Sequence, residues 1–143
     1  MRLVFDTVIL VRGLISPHGQ WGRLLFDYAD DYVLILSPPI LTEYLEVIQR
    51  PELVRKYRGV AGRDTRAILD LLANAEVVEP EEAPEVARDP KDDPFLAAAQ
   101  TGSVDYLVSE DHDLLDLGDY EGIPIISARM LLSVLERNAS IDH

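Results

Sequence analysis

Four runs of large apolar residues dominate the chain: Leu3-Val4-Phe5, Tyr32–Leu36, Tyr106-Leu107-Val108 and Ile123–Ile126. Each is too short for a helix and too uniformly apolar to keep one face in water, so each reads as a strand buried on both sides. The first, followed by Val8–Val11, ends near Asp6, where the chain turns. Between the runs lie helix signals. Trp21, Leu24, Leu25 and Tyr28 have the spacing of an amphipathic helix. Ser37-Pro38-Pro39 reads as an N-cap and early-helix prolines, opening a helix that runs to about Gln49 and stops at Arg50-Pro51. Further helices are expected over 52–58, 63–74, 94–100 and 128–136, with Gly59, Gly62 and Gly102 as breaks. Ser16–Gly19 and the acidic, proline-rich 79–93 read as loops, Val77-Val78 as a short strand, and Asp111–Gly118 as a turn or short helix. Strands separated by helices must pair in parallel, because parallel neighbours need a crossover. The expected fold is α/β: a three-layer sandwich around a central parallel sheet, Rossmann-like, in one domain spanning 1–143.

The length of 143 residues suits one domain, and 48% apolar residues suffice for a core. Cysteine is absent, which excludes disulfides and thiolate zinc sites and fits a reducing cytoplasm. The start, Met1–Asp6, meets an acid after three apolar residues, unlike a signal peptide, and no stretch reaches the roughly 18 apolar residues of a membrane span. A soluble, cytoplasmic protein with no membrane partner is the expectation.

A net charge of −13 speaks against a nucleic-acid partner, since Lys and Arg carry phosphate binding. Its distribution weakens that objection. Residues 1–70 hold 9 basic and 9 acidic side chains, whereas residues 71–143 hold 4 and 17. The neutral half contains a basic stretch, Arg50, Arg55, Lys56, Arg58, Arg63 and Arg66, that is either a solvated helix surface or a phosphate-tracking patch.

In parallel α/β sheets, function gathers outside the carboxyl ends of the strands. Acids stand at those places: Asp6 after the first strand, Glu43 early in the helix after the second, Asp92-Asp93 before the 94–100 helix, and Glu110, Asp111 and Asp113 after Tyr106–Ser109. One such acid is usually an N-cap. Several together repel, and a divalent cation removes that penalty. Carboxylate-rich sites suit Mg²⁺ or Mn²⁺, in a chain with only His18, His112 and His143 as further nitrogen ligands. Glu43 passes a geometric check. At 100° per residue it stands about 40° from Val47, at the margin of the apolar face, while Glu46 points further outward.

The same residues resemble a known family. Phe5-Asp6-Thr7, Leu36–Leu45 with Glu43, Arg88–Ala99 with Asp92-Asp93, and Tyr106–Leu115 with Ser109, Asp111 and Asp113 are similar, in order and spacing, to PIN domains of the VapC-like toxin group. The resemblance covers nearly the whole chain. It implies four catalytic acids, Asp6, Glu43, Asp93 and Asp111, with Asp6, Asp93 and Asp111 holding one or two Mg²⁺ or Mn²⁺ ions. Thr7, Ser109, Asp92 and Asp113 would support substrate or orient the acids. One position departs: Val8 stands where the family usually has an asparagine whose amide orients the acids.

What the resemblance implies is metal-dependent hydrolysis of RNA phosphodiester bonds, in a toxin that forms a homodimer and pairs with a small antitoxin protein. Two other strand-end acid chemistries fit poorly. A phosphoacceptor receiver needs paired acids on the first strand and a late lysine, and a haloacid-dehalogenase-like phosphatase needs a second aspartate at position 8, which is Val8. The alternative kept open is a PIN fold that has lost catalysis and binds proteins. Val8 and the net acidity favour it; the four acids oppose it.

Overall fold

The computed structural model describes residues 1–16, 18–52, 61–81 and 90–141. Six strands form one sheet: β1 (Arg2–Phe5), β2 (Val33–Leu36), β3 (Glu76–Val77), β4 (Tyr106–Val108), β5 (Asp119–Tyr120) and β6 (Ile123–Ile126). Their order is β3-β2-β1-β4-β6-β5, parallel throughout except for β5, which runs antiparallel to β6 at the edge. Helices pack on the sheet's sides: α1 (Thr7–Ile15), α2 (Gln20–Gly22), α3 (Pro38–Ile48), α4 (Ala61–Ala73), α5 (Asp93–Thr101), α6 (His112–Leu117) and α7 (Ala128–Ile141). The architecture is thus the expected α/β sandwich around a mostly parallel sheet. Leu3, Val4, Phe5, Leu34, Ile35, Leu36, Leu107 and Val108 are all buried, as strands covered on both faces must be.

The first strand ends at Phe5 and the chain turns at Asp6, as expected; Val8–Val11 then lies in α1, which Asp6 starts by accepting a hydrogen bond from the Ile9 amide at 3.1 Å. Two features differ from expectation. The 21–28 helix is a short α turn, Gln20–Gly22, continued as a π-helical turn, Arg23–Asp27. The edge strand β5 was not foreseen. It joins β6 through a two-residue turn, Glu121-Gly122, with both φ angles positive at 51° and 80°, the geometry of a tight hairpin. The body of the stretch expected over 52–58 lies outside the described residues, as do Pro17, the side chains of Arg55, Lys56, Arg58 and Arg63, Arg88-Asp89 and His143.

The sheet order sets where a site can form. From β1 the chain builds outward to β2 and β3 on one side, and later to β4, β6 and β5 on the other. The strand order therefore reverses between β1 and β4, and the crevice outside their carboxyl ends is the favoured ligand position in such sheets. Phe5 pairs with Val108, so the next residues, Asp6 and Ser109, leave the sheet side by side.

Candidate active site

Asp6 is the hub of that crevice. It is only 4% exposed, yet it carries three donors. Oδ1 accepts from the Ile9 amide; Oδ2 accepts from the Ser109 hydroxyl and, at 3.2 Å, from the Glu110 amide. Burial raises its pKa above the ordinary aspartate value of 3.8, and the Glu110 charge adds to that; the bonds from Ser109, Ile9 and Glu110 pull the other way. A carboxylate held at a strand end against its own desolvation gains from any cation that reaches it.

Ser109, fully buried, links two acids. Its hydroxyl donates to Asp6 and accepts from the Asp111 amide at 2.9 Å. Asp111 in turn caps α6, its Oδ1 accepting from the Asp113 and Leu114 amides at 2.8 and 3.3 Å. On the opposite wall, the Thr7 hydroxyl donates to Glu43 Oε2, tying α3 to the start of α1. Beneath, the buried Tyr44 hydroxyl donates to the Phe5 carbonyl and fixes the end of β1. Burial, then the charges of Asp6 and Glu43, push the Tyr44 pKa well upward, so this phenol stays a neutral donor.

A cleft of about 160 Å³ opens here, lined by Asp6, Thr7, Val8, Glu43, Lys91, Asp92, Phe95 and Asp111. It joins carboxylates from four separate chain segments, three of them among the four acids expected from sequence. Of the adjacent pair before α5, Asp92 lines the cleft. Asp93 is 8% exposed and is not among the lining residues. It shares a helix face with Gln100, seven positions on, whose Oε1 accepts from the Tyr120 hydroxyl at 3.3 Å. Desolvation first, then the charges of Glu121 and Asp93, raise the Tyr120 pKa. Asp113 is exposed in the first turn of α6, off the cleft wall. Glu110 is used structurally: Oε1 accepts from Trp21 Nε1 at 3.3 Å and from the Ala128 amide at 3.0 Å, capping α7.

Lys91 and Phe95 were missed from sequence. The only signal for either was its place in the Arg88–Ala99 stretch beside Asp92-Asp93. Val8 is 40% exposed on the cleft wall, an apolar side chain among acids.

The donor set consists of hard carboxylate oxygens. Among the described residues no three Asp, Glu, His or Cys side chains converge as a ready-made ion cage. Mg²⁺-type ions keep several waters and favour carboxylate oxygens, so the cleft's lining suits them in donor type. Among the described residues no helix is long and apolar enough to cross a membrane.

A family model described as PIN domain matches residues 2–113. An uncharacterized protein of Methanocaldococcus jannaschii, MJ1680, is 28% identical over 120 residues, covering 83% of this chain and 76% of that one. Two solved structures share the fold. PAE2754 from Pyrobaculum aerophilum has a TM-score of 0.60 at 17% identity, covering 96% of this chain and 90% of its own. VapBC2 from Rickettsia felis, bound to a DNA fragment from its promoter, has a TM-score of 0.56 at 10% identity, covering 89% and 98%.

Proposed function

The chain belongs to the PIN-domain family, and on that premise we propose that it is a metal-dependent endoribonuclease and the toxin component of a toxin–antitoxin pair. PIN domains are generally nucleases, and the observation that carries the reading here is the cleft. Asp6, Glu43, Asp92 and Asp111 line one cleft at the switch point of the sheet, and although Asp6 and Asp111 also cap helices, capping does not call for carboxylates from four segments at one cleft.

Asp6, Asp111 and one of Asp92-Asp93 would hold Mg²⁺ or Mn²⁺. The cleft lining supports Asp92 for that third place, with Asp93 as its buried neighbour. A bound ion would polarise the scissile phosphate and lower the pKa of an attacking water. The chain's residues do the rest. Ser109 keeps Asp6 and Asp111 in register and holds Asp6 ionised. Thr7 orients Glu43, whose second oxygen is then available to take a proton from the nucleophilic water. Lys91 offers the positive charge on the cleft wall to a phosphate. Asp113 acts from outside the cleft, through its amide on Asp111.

The Rickettsia felis neighbour is a VapBC complex, which supports a small antitoxin as partner; a homodimer and a cytoplasmic location complete the reading. A second reading, a binding module without catalysis, is favoured by Val8 at the cleft wall. The test is cleavage of single-stranded RNA by protein stripped with EDTA and reloaded with Mg²⁺ or Mn²⁺, comparing Asp92→Asn with Asp93→Asn. Metal-dependent cutting that Asp92→Asn abolishes and Asp93→Asn only weakens is expected. Equal cutting with and without metal refutes the nuclease mechanism. No cutting under any condition, with Val8→Asn equally silent, favours the binding module.

A further inference from the structure

A second cavity opens on the same edge of the sheet. It holds about 310 Å³ and is lined by Ser37, Pro38, Pro39, Glu79, Pro80, Pro94 and Ala97. Most of this lining is proline ring and alanine methyl: rigid, flat and apolar. Ser37 is 1% exposed, and its hydroxyl is buried with no hydrogen-bond partner among the described residues. It stands at the N-cap of α3 but makes no side-chain cap bond, and Pro38 and Pro39 at the first helical positions offer no amide to cap. A buried hydroxyl left without a partner is costly and calls for an explanation. At the mouth, Glu79 is exposed and supplies an acceptor.

This slot and the acidic cleft are neighbours along one seam. Pro39 lines the slot and Glu43 the cleft, one helical turn apart on α3, a rise of about 6 Å. Pro94 and Ala97 line the slot, while Phe95, on the adjoining flank of α5, and Asp92, just before that helix, line the cleft. A rise of about 6 Å is under two stacked nucleotide steps of roughly 3.4 Å. A strand whose phosphate occupies the cleft can therefore lay a neighbouring base in the slot.

We propose that the slot between α3 and α5 binds an unstacked nucleobase of the RNA, stacked on the proline rings, with its edge read by Ser37 and Glu79. This rests on the nuclease reading above. Splayed single-stranded bases are recognised by packing against flat side chains and by hydrogen bonds to their edges. A mainly apolar slot with few polar groups suits a neutral ring and excludes a phosphate. The Glu79 carboxylate accepts from an edge donor, which each base offers: the exocyclic amino groups of adenine, cytosine and guanine, and the ring N–H of uracil.

The test uses free nucleosides, which carry no phosphate, in EDTA, so that neither the metal nor cleavage enters. Saturation-transfer NMR would follow adenosine, cytidine, guanosine and uridine against the wild type, Ser37→Ala and the slot-filling Ala97→Leu. Binding of all four nucleosides is expected. It should weaken several-fold in Ser37→Ala and vanish in Ala97→Leu. Ser37→Ala should also raise the thermal midpoint, because it removes an unpartnered buried hydroxyl. No binding by any nucleoside, unchanged binding in Ser37→Ala, or a lowered midpoint in that variant overturns the proposal. So does binding of N-acetyl-tyrosinamide in place of nucleosides, which would make the slot an anchor for a protein. RNA cleavage assayed alongside separates the two readings: a protein that cuts RNA but binds no nucleoside refutes the slot alone, and one that binds nucleosides but cuts nothing refutes the nuclease alone.

Discussion

Replacing Ser109 by Ala removes one oxygen that holds two acids. In the wild type its hydroxyl donates to the buried Asp6 carboxylate and accepts from the Asp111 amide at 2.9 Å. A hydrogen bond to a charged group contributes about 1.5–3 kcal/mol and a neutral one about 0.5–1.5. The Asp111 amide is only partly buried and can turn to water, so its share falls at the low end. Together they give a loss of about 2–3 kcal/mol for Ser109→Ala at neutral pH. The loss must depend on pH. The Asp6 pKa is already raised by burial, and the Ser109 bond opposes that rise. Without it the native pKa climbs further, while the unfolded value stays near 3.8. A raised native pKa contributes stability below the unfolded pKa that disappears as pH rises through the native one. The variant therefore differs least from the wild type in acid, where Asp6 is neutral and only a neutral bond is missing. It differs most above the titration of Asp6. Urea unfolding of both proteins in EDTA, from acid to neutral pH, measures this directly. An equal difference at both ends, or one under about 0.5 kcal/mol at neutral pH, the size of an ordinary surface substitution, would refute the reasoning.

Divalent metal should raise the thermal midpoint of the wild type, by more at neutral pH than in acid, because protonated Asp6 offers no charge. Saturation at about 100 times Kd corresponds to about 2.7 kcal/mol, and calorimetry with Mn²⁺ at two pH values checks it. Val8→Asn should increase the rate of RNA cleavage without increasing stability, since it puts an amide donor on the cleft wall at an exposed position; single-turnover kinetics would show this. Gly102→Ala should cost about 1–3 kcal/mol in urea unfolding, the range for overpacking. The new Cβ would stand 2.7 Å from Cγ2 of Ile35 and 3.0 Å from the Ala98 carbonyl, and Ile35 is a buried, β-branched residue that cannot turn aside.

The α/β class was legible because the four longer strands are built on apolar runs and helix punctuation stands between them. What escaped depends on context. Val8–Val11 has the composition of a strand yet is helical, and the Asp6 cap stands at the start of that helix. Strand β5 has two residues and turns through Glu121-Gly122, a weaker hairpin signal than Asn-Gly. For the site, the neighbourhood of each acid at a strand end was legible from topology alone. The choice within Asp92-Asp93 was not: Asp92 closes a 3₁₀ turn and Asp93 opens α5, and which of the two lines the cleft is set by how that junction packs. Glu110 looked equivalent to Asp111 in sequence, yet it turns away to cap α7. The cavity beside the cleft left no trace beyond its prolines.

The central claim is that the carboxylates around the cleft act as one metal-dependent nuclease centre. The most direct test is cleavage of end-labelled single-stranded RNA by wild type, Asp6→Asn and Asp111→Asn, each with Mn²⁺ or EDTA. The account predicts cutting by the wild type with Mn²⁺ alone, and loss of that cutting in both variants while their folds persist. Cleavage that survives EDTA, or survives both substitutions, would contradict it.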